Sequence, residues 1–196
     1  MDIQIRIEGA TPLLMHNPQL CDPENEVVRE IAAITGKRKK TSEDRRAIAR
    51  LEWFGGLYLR GKQIVLPTAN IRKCLIETAK ISRLGRQVER ALSFAEPDTP
   101  LDYGGSRDLE ALFANPRFTS RLSVVIGGKR TIRIRPSFLP WKLTVAGIYI
   151  EDAGLNYDEL ERIVKLAGQV EGLGDNRRNG YGRFACALAS LASKAA

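Results

Sequence analysis

The 196-residue chain is long enough to bury one sizeable core, and 43% apolar with 28% charged residues is the balance of a folded domain rather than a disordered one. No apolar run approaches the roughly 20 residues that span a bilayer. Cys21, Cys74 and Cys186 are too few and scattered for a disulfide framework or thiolate metal site, and no cofactor or metal is expected. Lys and Arg total 31 against 23 Asp and Glu, a net charge of +8 that points to an acidic partner.

Ile3, Ile5 and Ile7 alternate with polar residues, which predicts a half-buried strand over 2–8 rather than a secretion signal, so a cytoplasmic location is expected. Thr11-Pro12 opens an irregular stretch containing His16. Residues 24–35 carry Val27, Val28, Ile31 and Ala32 on one helical stripe, ended by Gly36 and followed by Lys37, Arg38, Lys39 and Lys40. Thr41 with Asp44 three residues on resembles a capping box, and that helix continues to Gly55-Gly56. Residues 9–60 therefore read as a helical insertion after the first strand, with a basic loop at its tip.

A short strand is predicted over 62–66. Thr68 then caps a helix to about residue 82, with Ile71, Cys74, Leu75, Thr78 and Ala79 inward and Arg72, Lys73, Glu77 and Lys80 outward. Residues 83–118, rich in Pro, Gly and Asp, read as an irregular excursion with a short helix near 107–113. Gly127-Gly128 joins 121–126 to 129–135 as a hairpin, Ile132 and Ile134 on one side and Thr131, Arg133 and Arg135 on the other. Between Asn115 and Ile150 lie seven basic residues and no acid, while the other 24 basic and 23 acidic residues nearly cancel. A localised excess of this kind is the footprint of a polyanion-binding face. A strand over 143–150 follows, and Asn156 with Glu159 caps a helix that Gly168 ends. Phe184–Leu191 is the last strand, with a tail at 192–196 expected to fray.

Without the insertions the order is strand, helix, strand, strand, helix, strand. That is an α+β, ferredoxin-like or RNA-recognition-type βαββαβ domain, expected as one unit over 1–196, with both helices on one sheet face and the other open. The opposite face binds single strands in RNA-recognition domains.

Gly172-Leu173-Gly174-Asp175-Asn176-Arg177-Arg178-Asn179-Gly180-Tyr181-Gly182 joins the last helix to the last strand. Glycines allow positive φ and close approach of backbone to an anion, and Arg177, Arg178 and Arg183 add planar cationic donors suited to phosphate. Gly128-Lys129-Arg130 sits in a hairpin, which excludes a P-loop, and Gly180–Ala185 enters a strand, which excludes a dinucleotide site. The pair of Gly-hydrophobic-Gly triplets around five polar residues resembles the glycine-rich loop of the RAMP superfamily, CRISPR-associated RNA-binding proteins built on ferredoxin-like domains. Leu66-Pro67-Thr68-Ala69-Asn70-Ile71-Arg72-Lys73 likewise resembles the proline-led first core helix of CRISPR effector backbone subunits.

The resemblance implies a compact backbone-type subunit or stand-alone relative that binds single-stranded RNA or DNA in antiviral defence. Its partners would be CRISPR effector subunits, and its assembly a homo-oligomer or filament along the strand. Lys129, Arg130, Arg133 and Arg135 would neutralise phosphates, as would Arg72, Lys73 and a basic finger at Lys37–Lys40. The amides of Gly172, Gly174, Gly180 and Gly182 and the arginines of the loop would grip the strand, with Trp141, Tyr181 or Phe138 stacking on bases. Some RAMP proteins cleave RNA by acid–base chemistry, so His16, the only histidine, is the candidate for a metal-independent endoribonuclease. A third reading is a protein-interaction module that mimics an effector-complex subunit. Binding is the default among the three.

Overall fold

A computed structural model describes residues 1–191, and the expected fraying of 192–196 lies outside them. In chain order the main elements begin with strand β1 (Asp2–Gly9), helices α1 (Glu26–Thr35) and α2 (Ser42–Gly56) and strand β2 (Gln63–Pro67). Helices α3 (Thr68–Lys80) and α4 (Gly85–Ala91), strand β3 (Leu92–Ser93) and helix α5 (Leu109–Ala114) follow. Strands β4 (Thr119–Ile126), β5 (Lys129–Phe138) and β6 (Trp141–Tyr149), helix α6 (Tyr157–Val170) and strand β7 (Phe184–Ser190) complete the chain. It divides into two compact units, one from Met1–Leu13, Leu59–Gly104 and the chain from Leu139 onward, the other from Leu14–Tyr58 and Gly105–Phe138.

The first unit holds an antiparallel sheet in the order β7-β1-β6-β3. Numbered along the chain these are the fourth, first, third and second core strands, so the fold is α+β and ferredoxin-like. Ile3, Ile5 and Ile7 are at most 3% exposed, and Ile5 pairs with Val145 and Leu188. Each such buried aliphatic side chain contributes about 1.5–3 kcal/mol. α6 packs so closely on β7 that a Cβ at Gly168 would lie 1.9 Å from the Phe184 carbonyl oxygen. α3 lies against α6 through Ile71, Cys74, Leu75, Thr78 and Ala79, as their helical spacing predicts, with Cys74 Sγ 3.9 Å from the Ala167 carbonyl.

Two features depart from the sequence reading. The second core strand is the two-residue β3, not the hairpin of residues 121–135; β4 and β5 pair instead in a separate sheet of the second unit. A two-residue strand carries no period to read, whereas the hairpin carries a strong one. Thr68 does not cap α3 but is its first residue, with its hydroxyl 3.3 Å from that of Thr99.

In the second unit α1 and α2 form a helical hairpin. Trp53 on α2 is fully buried, donates from Nε1 to the Phe118 carbonyl (2.9 Å), and stacks at an angle with Phe54 and Phe113. Glu52, 5% exposed, accepts from the Ile134 amide (2.9 Å) and pairs with Arg133, which fixes the base of the β4–β5 hairpin on α2. Towards the turn the hairpin stands in solvent, with Val125 63% and Ile132 54% exposed.

The α2 capping box forms in both directions: Asp44 N donates to Thr41 Oγ1 (3.1 Å) and Thr41 N to Asp44 Oδ2 (2.9 Å). A hydrogen bond from the Lys37 ammonium, then one from the Thr41 amide, holds the Asp44 carboxyl at about 2 against an ordinary 3.8. A carboxyl lowered by folding stabilises fully above its unfolded value, and that contribution fades as pH falls toward the folded value. Asp44→Asn is therefore expected to lower the thermal midpoint at pH 6, with the gap to wild type closing between about pH 4 and pH 2. A gap independent of pH would contradict this assignment.

Candidate nucleic-acid interface

The segment from α6 to β7 is built on backbone contacts. Gly172, Gly174, Gly180 and Gly182 all take positive φ, between +68° and +84°, and Asn176 joins them at +58°. Gly182 and Leu173 cross so closely that a Cβ on Gly182 would lie 1.8 Å from the Leu173 carbonyl oxygen. The Leu173 side chain is 1% exposed, and its amide donates to the Gly182 carbonyl (2.9 Å). The Gly182 amide donates to the Pro12 carbonyl (2.9 Å), while Thr11 Oγ1 donates to the Gly180 carbonyl and accepts from the Arg183 amide, both at 2.8 Å. Gly172 N and Gly180 N donate to the carbonyls of Ala167 and Arg177. The amides of Gly172, Gly180 and Gly182 are thus committed inside the molecule and form no anion cradle. Gly172 and Gly182 let chain pack on chain, and the side chains of the loop are what face outward.

Those side chains line a cleft of about 510 Å³ whose walls include Glu171, Asp175, Arg177, Arg178 and Arg183. Arg177 pairs with Glu171, and Arg183 Nη2 donates to the Arg177 carbonyl (3.2 Å). Arg183 Nη1 is buried with no hydrogen-bond partner among the described residues, an unusual state for a charged donor. Arg178 is exposed and makes no ion pair among the described residues. The outer face of α3 shares this environment. Glu77 is held below the usual carboxylate range first by the hydrogen bond from Lys80 Nζ (2.7 Å), then by the fields of Lys80, Lys73 and Arg177. Burial pushes the Cys74 and Cys186 thiols up to about 12 and about 11, so neither is a ready nucleophile.

The other sequence candidates scatter. Lys73 is exposed on α3, whereas Arg72 bonds to the Glu89 carbonyl (2.8 Å) and ties α3 to α4. Tyr181 is half-buried. Trp141 offers no stacking surface: it is fully buried, donates from Nε1 to the Thr11 carbonyl (2.9 Å), and meets Phe184 edge-on. Phe138 is also fully buried. Arg133 and Arg135 lie on β5 in the second unit, not on the open face of the core sheet, and Arg133 is engaged by Glu52. Lys129 and Arg130 stand exposed at the hairpin turn. In the basic loop Lys37 pairs with Asp44 and Lys40 donates to the Lys37 carbonyl (3.3 Å), leaving Arg38 and Lys39 exposed. His16 is half-buried in the second unit, its carbonyl accepting from the Tyr58 hydroxyl (3.2 Å).

The open face of the core sheet differs from the expectation too. It presents Gln4, Arg6 and Glu8 between Lys142, Thr144 and Ala146 on one side and Ala185, Ala187 and Ala189 on the other, with no aromatic ring among them. Lys142 pairs with Glu8, so little charge remains there for phosphate. Sequence reasoning also passed over Arg83, Arg86 and Arg90, which fell inside the stretch read as irregular. Their spacing of three and four residues is a helical signal that was there to be found.

Among the described residues no group of three or more His, Cys, Asp and Glu is placed to hold a metal ion, and no helix is long and apolar enough to cross a membrane. Neither a protein family nor a curated protein matches the sequence. A solved structure is similar in fold. It is a chain from the cryo-EM structure of the Type III-B Cmr-beta bound to cognate target RNA, with a TM-score of 0.55 and 12% identity. The chain shares its fold with this Cmr chain. The match covers 96% of the present chain but 60% of the Cmr chain, so this protein spans well under two thirds of that neighbour's length.

The glycine geometry yields a paired test. Gly182→Ala combines the Leu173 clash with a positive φ and is expected to cost on the order of 3 kcal/mol. Gly180→Ala, with nothing within 4 Å of its added Cβ, carries only the backbone penalty of about 1–2 kcal/mol. Chemical denaturation of the two variants measures the difference, and equal losses would contradict the close crossing.

Proposed function

We propose that this chain binds single-stranded nucleic acid, RNA in first place, through the cleft beside the Gly172–Gly182 loop, as a RAMP-type subunit or stand-alone relative. The observation that carries this reading is the gathering of Arg177, Arg178 and Arg183 on one cleft, with Arg178 exposed and making no ion pair among the described residues. A phosphate oxygen is a natural acceptor for such a donor, and guanidinium groups suit it by geometry. Tyr181, half-buried between these arginines in sequence, supplies a ring for stacking on a base. The fold likeness to a chain of an assembly described as bound to target RNA supports the same reading. Repetition of the chain along one strand, together with CRISPR effector subunits, belongs to the proposal.

Fluorescence anisotropy with a labelled, unstructured oligoribonucleotide tests it. Binding is expected at low ionic strength and should weaken steeply with salt, because each neutralised phosphate releases counterions. Arg178→Ala is expected to keep the fold and reduce the slope of log K against log salt by about 0.7, the contribution of one single-strand phosphate. Absence of salt-sensitive binding by the wild-type chain would overturn the proposal.

A further inference from the structure

A second cleft, of about 660 Å³, lies in the first unit where α3 gives way to α4. Lys80, Arg83, Arg86 and Arg90 line it, with Ile76 and Gly85 also in its walls. Arg86 and Arg90 stand one turn apart on α4, about 6 Å along the helix, and Arg83 lies just ahead of it. Lys80 is paired with Glu77, and Glu89, itself on the cleft, lies 3.7 Å from Arg72, so the cleft's uncommitted cations are the three arginines. Arg83, Arg86 and Arg90 are exposed and make no ion pair among the described residues.

Arg83 supplies a second, independent observation. Its φ is +61°, a left-handed conformation shared among described non-glycine residues only with Asn176. It closes α3 through Arg83 N to the Lys80 carbonyl (3.0 Å) and Leu84 N to the Ala79 carbonyl (2.9 Å). Glycine is the residue that takes this position without strain. An arginine held there spends backbone strain to put a cation on the cleft, and strain of this kind gathers at sites of function.

Lys73 and Lys80 share the outer face of α3, and Lys80 at the end of that helix also lines the cleft. No aromatic residue lines the cleft, so it offers nothing for a base to stack on. A row of cations longer than one phosphate, without base contacts, fits an extended sugar–phosphate backbone better than a single nucleotide. We propose that this cleft holds the backbone of the same strand bound at the glycine loop, carrying it along α3 to α4 without regard to sequence.

This rests on the nucleic-acid reading of the loop, and the experiment separates the two. The full chain is titrated with a labelled oligouridylate long enough to reach both clefts, across a range of salt. Arg86→Ala/Arg90→Ala is expected to lower the slope of log K against log salt by about 1.4, two phosphates at 0.7 each, with an unchanged thermal midpoint. Arg83→Gly is expected to lower the slope by about 0.7 while holding or raising the midpoint, since it removes charge and strain together. Wild-type binding with an unaltered slope in both variants would overturn this inference and leave the loop site standing. No binding by the wild-type chain would overturn both. A slope unaltered on RNA but a lost acidic protein partner would reassign the cleft to protein recognition.

Discussion

The arrangement depends on a single backbone crossing. Where Gly182 passes Leu173 there is no space for a side chain, and the two residues are joined by a hydrogen bond while Gly182 reaches on to Pro12 at the end of β1. The buried Leu173 side chain anchors one limb of the loop, and Thr11 bridges Gly180 and Arg183 on the other. With the backbone pinned in this way, residues 174–179 are left to the surface, and Arg177, Arg178 and Arg183 converge on one cleft. Gly172 and Gly182 therefore serve close packing, and the arginines face the cleft.

Charge along the sequence and charge in space tell different stories. The acid-free stretch from 115 to 150 holds seven cations, yet Arg133 among them is spent on buried Glu52, and Lys142 on Glu8. Exposed pairs such as Lys142–Glu8 contribute roughly 0–1 kcal/mol of stability, but they cancel the field a polyanion would feel. Around α3 and α4 the opposite holds. Acids at 77 and 89 mask the excess in any local count, while in space they pair with Lys80 and Arg72 and leave Arg83, Arg86 and Arg90 without an ion pair among the described residues. The cations of the first unit that make no ion pair among the described residues thus gather on its helix and loop side more than on the open sheet.

Much of the fold was legible because it has a period or a cap. The Ile3-Ile5-Ile7 alternation, the inward stripe of α3, the Thr41–Asp44 box and the Asn156 cap all mark elements that form. The core strand β3 was illegible because Leu92–Ser93 is too short to show alternation, and the prominent hairpin drew the assignment to itself. In the site, the arginines of the loop were legible from the motif, but the direction of its amides was not. A glycine read along the chain permits both an anion cradle and a close crossing, and only the position of Leu173 and Pro12 decides between them. Trp141 failed for a similar reason, since its indole N–H finds the Thr11 carbonyl inside the core rather than a base outside it.

The most direct measurement is photo-crosslinking of the full chain to a thiouridine-substituted oligoribonucleotide, with the adducts mapped by mass spectrometry. Adducts are expected within residues 171–183 and along the outer faces of α3 and α4. Adducts confined to the open sheet face around Arg6 and Lys142, or to the β4–β5 hairpin, with none on the glycine loop, would contradict the account.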